Sequence, residues 1–132
     1  MSGEQILVVE DNERNRKLLK DVLEHRGYRV LVAETGEEGV ALAREHLPAL
    51  VLMDIQLPGI SGIEAFKQLQ DEPATRGIPV VAVTASVMEE ERAIIEEVGF
   101  AGYQPKPIRV MEFLKAVEAL LATPAASGDE GT

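Results

Sequence analysis

The sequence predicts an α/β protein with a doubly wound, five-stranded parallel sheet in the order 2-1-3-4-5 and five helices. Short apolar runs alternate along the chain with amphipathic stretches at helical spacing, which is the pattern of consecutive βαβ units. Two of these runs, residues 50–53 and 79–83, contain no polar residue, so they predict central strands covered on both faces. Five parallel strands joined by right-handed crossovers commonly take this order.

The five strands are predicted from apolar runs that stop at polar residues, glycine or proline. They cover residues 6–9, 28–33, 50–53, 79–84 and 100–105. The last of these is an outer strand in the predicted order. Pro105 suits that position, because an edge strand can do without one hydrogen-bond donor.

Three helix starts are predicted by capping boxes, in which serine or threonine is followed three residues later by glutamate. The boxes pair Thr35 with Glu38, Ser61 with Glu64 and Ser86 with Glu89. Gly27, Pro48 and Gly99 predict helix ends. The predicted helices run from 13 to 26, 35 to 48, 61 to about 70, 86 to about 98, and 109 to 121.

One folded domain is expected from residue 4 to residue 122, since 132 residues suffice for a single core. Residues 71–77 form a polar, proline-containing connection, and residues 123–132 are small and polar, which predicts a disordered tail. Met1 favours a complete single-domain protein, and a module cut from a longer chain is the alternative.

Composition excludes several classes of function. The absence of cysteine excludes disulfides, thiolate metal sites and cysteine nucleophiles. A net charge of −10 argues against direct binding to nucleic acid, which requires a basic face. No apolar run approaches the length of a membrane span, and the amino end lacks the pattern of a secretory leader. We therefore expect a cytoplasmic protein that binds other proteins and not a membrane.

Polar residues stand where three of the apolar runs end. Glu10 and Asp11 follow the first, Asp54 follows the third, and Thr84 ends the fourth. In the predicted order these strands are neighbours, so the four side chains should share one edge of the sheet. The loop after Asp54 contains Pro58, Gly59 and Gly62, which disfavour an early helix and should leave Asp54 exposed.

Each residue also has an ordinary structural explanation. Glu10 and Asp11 suit a helix start, where acids favour the helix dipole, and Asp54 suits a helix cap or a turn. Thr84 can cap a strand end, and most lysines, including Lys106, are surface charges. It is the joint arrangement of these residues that indicates a functional site.

Over about residues 5–121 the chain resembles a response-regulator receiver domain of the CheY-like, flavodoxin-like fold. The motif elements that match, in chain order, are Glu10-Asp11, Asp54, Pro58, Gly62, Thr84, Tyr103 and Lys106-Pro107. The stretches V-E-D-N, M-D-I-Q-L-P and P-V-V-A-V-T-A further resemble single-domain DivK-like regulators and the receivers of hybrid kinases.

The resemblance implies that Asp54 is a phospho-acceptor that forms an aspartyl-phosphate, with Lys106 supplying positive charge. Three converging carboxylates are costly without a cation, and Mg²⁺ prefers oxygen ligands. We expect Asp11 and Asp54 to bind Mg²⁺ directly and Glu10 to bind it through water. The resemblance adds the backbone carbonyl of Gln56.

The resemblance also implies a conformational switch. Thr84 should hydrogen-bond the phosphoryl oxygens and be drawn toward them, which opens space for Tyr103 to turn inward. The surface formed by the fourth helix, the fifth strand and the fifth helix should then change. A cis peptide between Lys106 and Pro107 is expected, since cis and trans are close in energy before proline.

The implied function is that of a response regulator in a two-component or phosphorelay system. Its partners should be a histidine kinase or histidine phosphotransfer protein and a downstream protein, and it should be monomeric. A receiver module excised from a larger hybrid kinase or regulator is the alternative. The docking face for the histidine partner is predicted to include Asn15, Leu18, Pro107 and Ile108. Leu18 can also be explained as a core residue.

Three other classes of protein fit less well. A haloacid-dehalogenase-like phosphatase needs an aspartate where Gln56 stands, and its nucleophile follows the first strand. A flavodoxin-like cofactor binder needs a phosphate loop where Glu10 and Asp11 would repel phosphate. A degenerate receiver would lack one of the chemical residues. Labelling by a small phosphodonor in the presence of Mg²⁺ distinguishes these classes.

Overall fold

The computed structural model describes residues 3–85 and 89–122 and confirms the predicted sheet. Its five strands are β1 (Gln5–Val9), β2 (Arg29–Ala33), β3 (Leu50–Asp54), β4 (Val80–Thr84) and β5 (Gly102–Pro105). All neighbouring strands are parallel, and their order is β2-β1-β3-β4-β5. Pro105 lies on the outer strand β5, as predicted.

Within the described residues the chain forms six helices. They are α1 (Glu13–His25), α2 (Gly36–His46), α3 (Gly62–Gln70), α4 (Pro73–Arg76), α5 (Glu89–Val98) and α6 (Val110–Ala122). Five are the predicted helices, and α4 is an additional single turn within the connection 71–77. Pro73 begins it, at a position whose amide has no helical partner. The buried Thr75 hydroxyl donates to the Leu69 carbonyl at 2.7 Å, which ties this turn to α3.

The first two capping boxes form their cap hydrogen bonds. Thr35 Oγ1 accepts from the backbone N–H of Glu38 at 3.0 Å, and Ser61 Oγ accepts from that of Glu64 at 3.2 Å. In the first box the Glu38 carboxylate accepts from the N–H of Glu34 and not from that of the cap residue. In this box Thr35 therefore caps the N–H of Glu38, and the Glu38 side chain caps the N–H of Glu34, one residue before the cap residue.

Two predictions fall outside the described residues. They are the capping serine Ser86 and the disordered tail 123–132. The structure does describe the end of α2, which lies two residues before Pro48, the predicted end of this helix. The helix stops at His46, and Leu47 takes a left-handed backbone conformation, with φ of 48°. The backbone N–H of Leu47 donates to the carbonyl of Ala43 at 2.9 Å. Glycine is the residue that most often takes this left-handed position at a helix end.

The sheet has a separate apolar core on each face. On one face the side chains of β1, β3 and β4 pack with α2, α3 and α5, and the rings of Phe66 and Phe100 stack with centroids 4.2 Å apart. On the other face they pack with α1 and α6 around Phe113. All five residues of β3 and of β4 are buried, whereas those of β5 are half-buried. No helix in residues 3–85 and 89–122 is long and apolar enough to cross a membrane.

Candidate functional site

The candidate site lies at the edge of the sheet where the parallel strands end. Glu10 follows β1, Asp54 is the last residue of β3, Thr84 is the last of β4, and Lys106 follows β5. The register brings these ends together, because Asp54 pairs with Val83 on the next strand. The structure therefore gathers the strand-end residues that the sequence singled out.

Asp54 is buried at this edge, with 3% of its surface exposed. Its Oδ2 lies 2.9 Å from the ammonium of Lys106, and its Oδ1 accepts from the backbone N–H of Gln56 at 3.1 Å. The expectation that the following loop leaves Asp54 exposed was wrong. The loop folds back instead, since the N–H of Gly62 donates to the Ile55 carbonyl at 2.8 Å, and Lys106 covers the carboxylate.

Lys106 is the cation of the site. Its Nζ contacts Asp54 and lies 3.1 Å from Glu10 Oε1. Burial lowers the pKa of Lys106, but the hydrogen bonds and charges of Asp54 and Glu10 outweigh burial, so the pKa lies above its ordinary value. The side chain is therefore positively charged at neutral pH. The Lys106–Pro107 peptide is cis, as predicted.

Glu10 is buried and only partly satisfied. Its Oε2 accepts from the backbone N–H of Asn12 at 3.0 Å, but its Oε1 has no hydrogen-bond partner among the described residues, despite lying near Lys106. Burial, followed by the charge of Asp54, raises the pKa of Glu10. Arg16 binds the backbone carbonyl of Glu10 and not its carboxylate. Glu10 Oε1 is thus ion-paired with Lys106 but accepts no hydrogen bond, which leaves this oxygen able to interact with a further donor or a cation.

Glu10, Asp11 and Asp54 form a cluster that can hold a metal ion. One carboxylate oxygen from each lies within 4.8 Å of the other two. Three carboxylates against the single ammonium of Lys106 leave two negative charges in excess. A set of oxygen ligands, one of them a buried oxygen without a hydrogen bond, fits Mg²⁺. Asp11 is exposed, so one side of the cluster faces solvent.

Thr84 and Tyr103 lie on neighbouring strands and on the same face of the sheet. Tyr103 pairs with Ala82, and Thr84 follows Ala82 by two residues, which returns its side chain to that face. Thr84 is buried, and Tyr103 is half-buried against the α3 side of the core. The guanidinium of Arg92 lies over the Tyr103 ring, 5.0 Å from its centroid.

Arg92 was missed by the sequence reasoning. It stands among glutamates near the start of α5, where a charged side chain usually means a solvated helix surface. Its contact with Tyr103 depends on how α5 packs beside β5, which no local pattern reports. The one local signal was that Arg92 is the single base among the five glutamates of α5.

The predicted docking residues lie at the start of α1 and after β5. Asn15 is half-buried, Leu18 is 39% exposed, and Pro107 is exposed. Ile108 is half-buried and packs against the core on the α1 and α6 side. Part of Ile108 is therefore core, which the sequence reasoning gave less weight than its exposure.

Comparisons with known proteins agree with this geometry. The model of the response regulator receiver domain family matches residues 6–118. The polar-differentiation response regulator DivK of Brucella ovis is 45% identical over 116 residues, which cover 88% of this chain and 94% of the relative. The non-phosphorylated HemR receiver domain of Leptospira biflexa is similar in structure, with a TM-score of 0.85 at 31% identity over 94% of this chain and 98% of that one.

A second solved structure bears on the carboxylate cluster. The receiver domain of a sensor histidine kinase from Pseudomonas aeruginosa PAO1, which has a magnesium ion coordinated in its active-site cleft, matches with a TM-score of 0.84 at 28% identity. The match covers 91% of this chain and 98% of that one. With its five-stranded sheet, its acidic strand ends and these relatives, the chain belongs to the family of response-regulator receiver domains, which are phosphorylation-based signalling modules.

Proposed function

We propose that residues 4–122 form a receiver in which Asp54 accepts a phosphoryl group from a histidine of a partner protein. The observation that carries this proposal is the placement of a buried carboxylate, Asp54, 2.9 Å from a fixed ammonium, Lys106, within an oxygen-rich cation site. The partner is a cytoplasmic histidine kinase or histidine phosphotransfer protein. The phosphorylated, monomeric protein then binds a downstream protein.

The residues of the site suit phosphoryl transfer by position and charge. A carboxylate oxygen of Asp54 bonds to phosphorus as the bond between phosphorus and the donor nitrogen breaks, and the freed imidazole leaves. Lys106, which already contacts Asp54 and Glu10, neutralises charge on the phosphoryl oxygens. The hydroxyl of Thr84, at the end of the neighbouring strand, donates to the same oxygens.

Four residues are proposed to hold Mg²⁺. Asp11 and Asp54 bind it directly, Glu10 binds it through water, and the backbone carbonyl of Gln56 is a further ligand. The N–H of Gln56 donates to Asp54, which supports its place beside the cluster. When bound, Mg²⁺ supplies positive charge to the transferring phosphoryl oxygens. The excess negative charge of the cluster is thereby offset.

Acetyl phosphate tests this proposal directly. We expect the protein to gain the mass of one phosphoryl group when Mg²⁺ is present and none in excess chelator. Mg²⁺ should also raise the free energy of unfolding, by about 2.7 kcal/mol at roughly a hundredfold excess over its dissociation constant. Asp11→Asn should lose most of both effects, because Asp11 is a proposed direct ligand of Mg²⁺. The variant should still fold, since Asp11 is exposed and its replacement leaves the core intact. Labelling in chelator would contradict the metal assignment.

A second prediction concerns Thr84 and Tyr103 as the switch. When a phosphoryl mimic is added, NMR shift changes should extend from Asp54 through β4 to Tyr103, because the two side chains share a sheet face. Thr84→Ala should confine the changes to the neighbourhood of Asp54. Arg92→Ala, which removes the guanidinium over the ring, should enlarge the change at Tyr103. Changes confined to the Asp54 loop in the wild type would disprove the switch.

A third prediction concerns docking of the histidine partner. Ile108→Ala should slow phosphotransfer from the cognate phosphohistidine protein and leave labelling by acetyl phosphate nearly unchanged. The reason is that Ile108 lies two residues from Lys106 with part of its surface open to a partner. Met111→Ala, which truncates a 60% exposed side chain on α6, serves as the control. An equal loss with both donors would show that Ile108 supports the site itself.

A further inference from the structure

A small apolar cleft lies between the loop after β3, the start of α3 and the first turns of α5. It has a volume of about 150 Å³ and is lined by Ile55, Ile63, Glu91, Ile94 and Ile95. Ile94 is 44% exposed at its rim, although it is one of the large apolar side chains. Apolar cavities of about 150 Å³ accept a group of the size of benzene. The cleft therefore has room for one aliphatic or aromatic side chain.

The rim of this cleft is strongly acidic. Glu90, Glu91 and Glu97 are four, three and three residues from Ile94, so on a helix they are its surface neighbours. The only base of α5 is Arg92, and its guanidinium lies over the Tyr103 ring. Within the described part of the chain, no glutamate of α5 takes part in an ion pair.

Helix stability explains only three of the five glutamates of α5. Glutamates in the first turn, residues 89–91, favour the positive end of the helix dipole. Glu96 and Glu97 stand in the last turn, which contains no base, and there negative charge opposes the dipole. On α3, the exposed Glu64 and Lys67 cancel one another. The negative charge that Glu97 adds beside Ile94 is therefore not explained by the helix dipole.

We propose that this cleft is a docking site for a basic segment of a partner protein that inserts one apolar side chain between α3 and α5. The apolar side chain fills the cleft beside Ile94, and flanking lysine or arginine side chains meet Glu90, Glu91 and Glu97. Opposite charges at the rim guide association, and the buried anchor supplies most of the binding free energy. The cleft shares no residue with the carboxylate cluster, although Ile55 directly follows Asp54. Docking there requires no phosphoryl group, so it goes beyond the proposed function.

Random peptides displayed on phage and selected on the intact protein provide the probe. The enriched sequences should share one aliphatic or aromatic residue flanked by lysine or arginine. A synthetic peptide of that consensus should bind about tenfold more weakly to Ile94→Ser and to Glu91→Lys, and its affinity should fall as salt increases. Its NMR shift changes should centre on the residues that line the cleft.

Two control variants separate this site from general charge attraction. Glu13→Lys makes the same charge change on α1, and Met111→Ser removes an apolar side chain that is 60% exposed on α6. Both should bind the peptide as the wild type does. Acidic or purely polar consensus sequences, an absence of enrichment, or equal weakening by Glu13→Lys would overturn the proposal. Self-association of the protein that Ile94→Ser abolishes would replace the partner segment by a second copy and would also overturn it.

Discussion

Replacement of Asp54 by asparagine is expected to abolish labelling by acetyl phosphate and by the phosphohistidine partner alike. The amide oxygen of asparagine can still accept from the N–H of Gln56, so the loop after β3 should keep its conformation. The amide is not a nucleophile toward phosphorus, and it cannot ion-pair with Lys106. Intact-mass measurement after incubation with each donor gives the result without dependence on a downstream target.

Controls for this prediction come from other acids of the chain. Asp21→Asn changes a carboxylate that is exposed on α1 and pairs with Lys17, so its labelling should equal that of the wild type. NMR spectra should show that Asp54→Asn keeps the fold. A phosphoryl group that persists in this variant, at Glu10 or Asp11, would mean that the acceptor had been misassigned within the cluster.

Substitution of Gly62 by alanine is expected to destabilise the fold by about 3 kcal/mol, the upper part of the usual range for overpacking. A Cβ at this first residue of α3 would overlap the backbone oxygen of Asp54 and lie 2.8 Å from Ile55 Cα. Both contacts are with backbone, which no rotamer change can relieve. Urea unfolding measures the loss, and labelling by acetyl phosphate should fall as well, because the displaced backbone carries Asp54.

Gly77→Ala is the matched control for this effect. A Cβ at Gly77 meets nothing within 4 Å, and its φ of −84° suits any residue, so the change in unfolding free energy should stay within about 0.5 kcal/mol. If Gly62→Ala were equally mild, the close approach of α3 to the end of β3 would not be required by the fold.

The sheet was predictable because the composition of its strands differs from that of the segments between them. Uniformly apolar runs at residues 50–53 and 79–83 correspond to two wholly buried strands. Once the order is known, the strand-end positions of Glu10, Asp54 and Lys106 follow from the parallel arrangement. The cap at Thr35 was equally local, since its hydrogen bond spans three residues.

What the sequence did not reveal depends on contacts between distant elements. The burial of Asp54 arises because Lys106, fifty-two residues away, covers its carboxylate. The capping box at Ser61 predicted a helix start next to Gly62, but it did not reveal that the lack of a Cβ at Gly62 allows α3 to approach the end of β3. The Arg92 contact with Tyr103 likewise requires knowledge of helix placement. These contacts join residues of different parts of the fold, so no local spacing pattern predicts them.

The contrast between a fully buried β3 and a half-buried outer β5 has a consequence for hydrogen exchange. Amides of β3 lie between two neighbouring strands and two cores, so they should exchange with solvent at rates near the limit of global unfolding. Amides of β5, with one neighbour, should exchange through smaller local openings. Asp54 is therefore expected to lie on the strand whose amides exchange most slowly. Lys106 directly follows β5, whose amides are expected to exchange faster. In the proposed mechanism, the Lys106 ammonium would then be able to move toward a phosphoryl group on Asp54 while Asp54 itself stays in place.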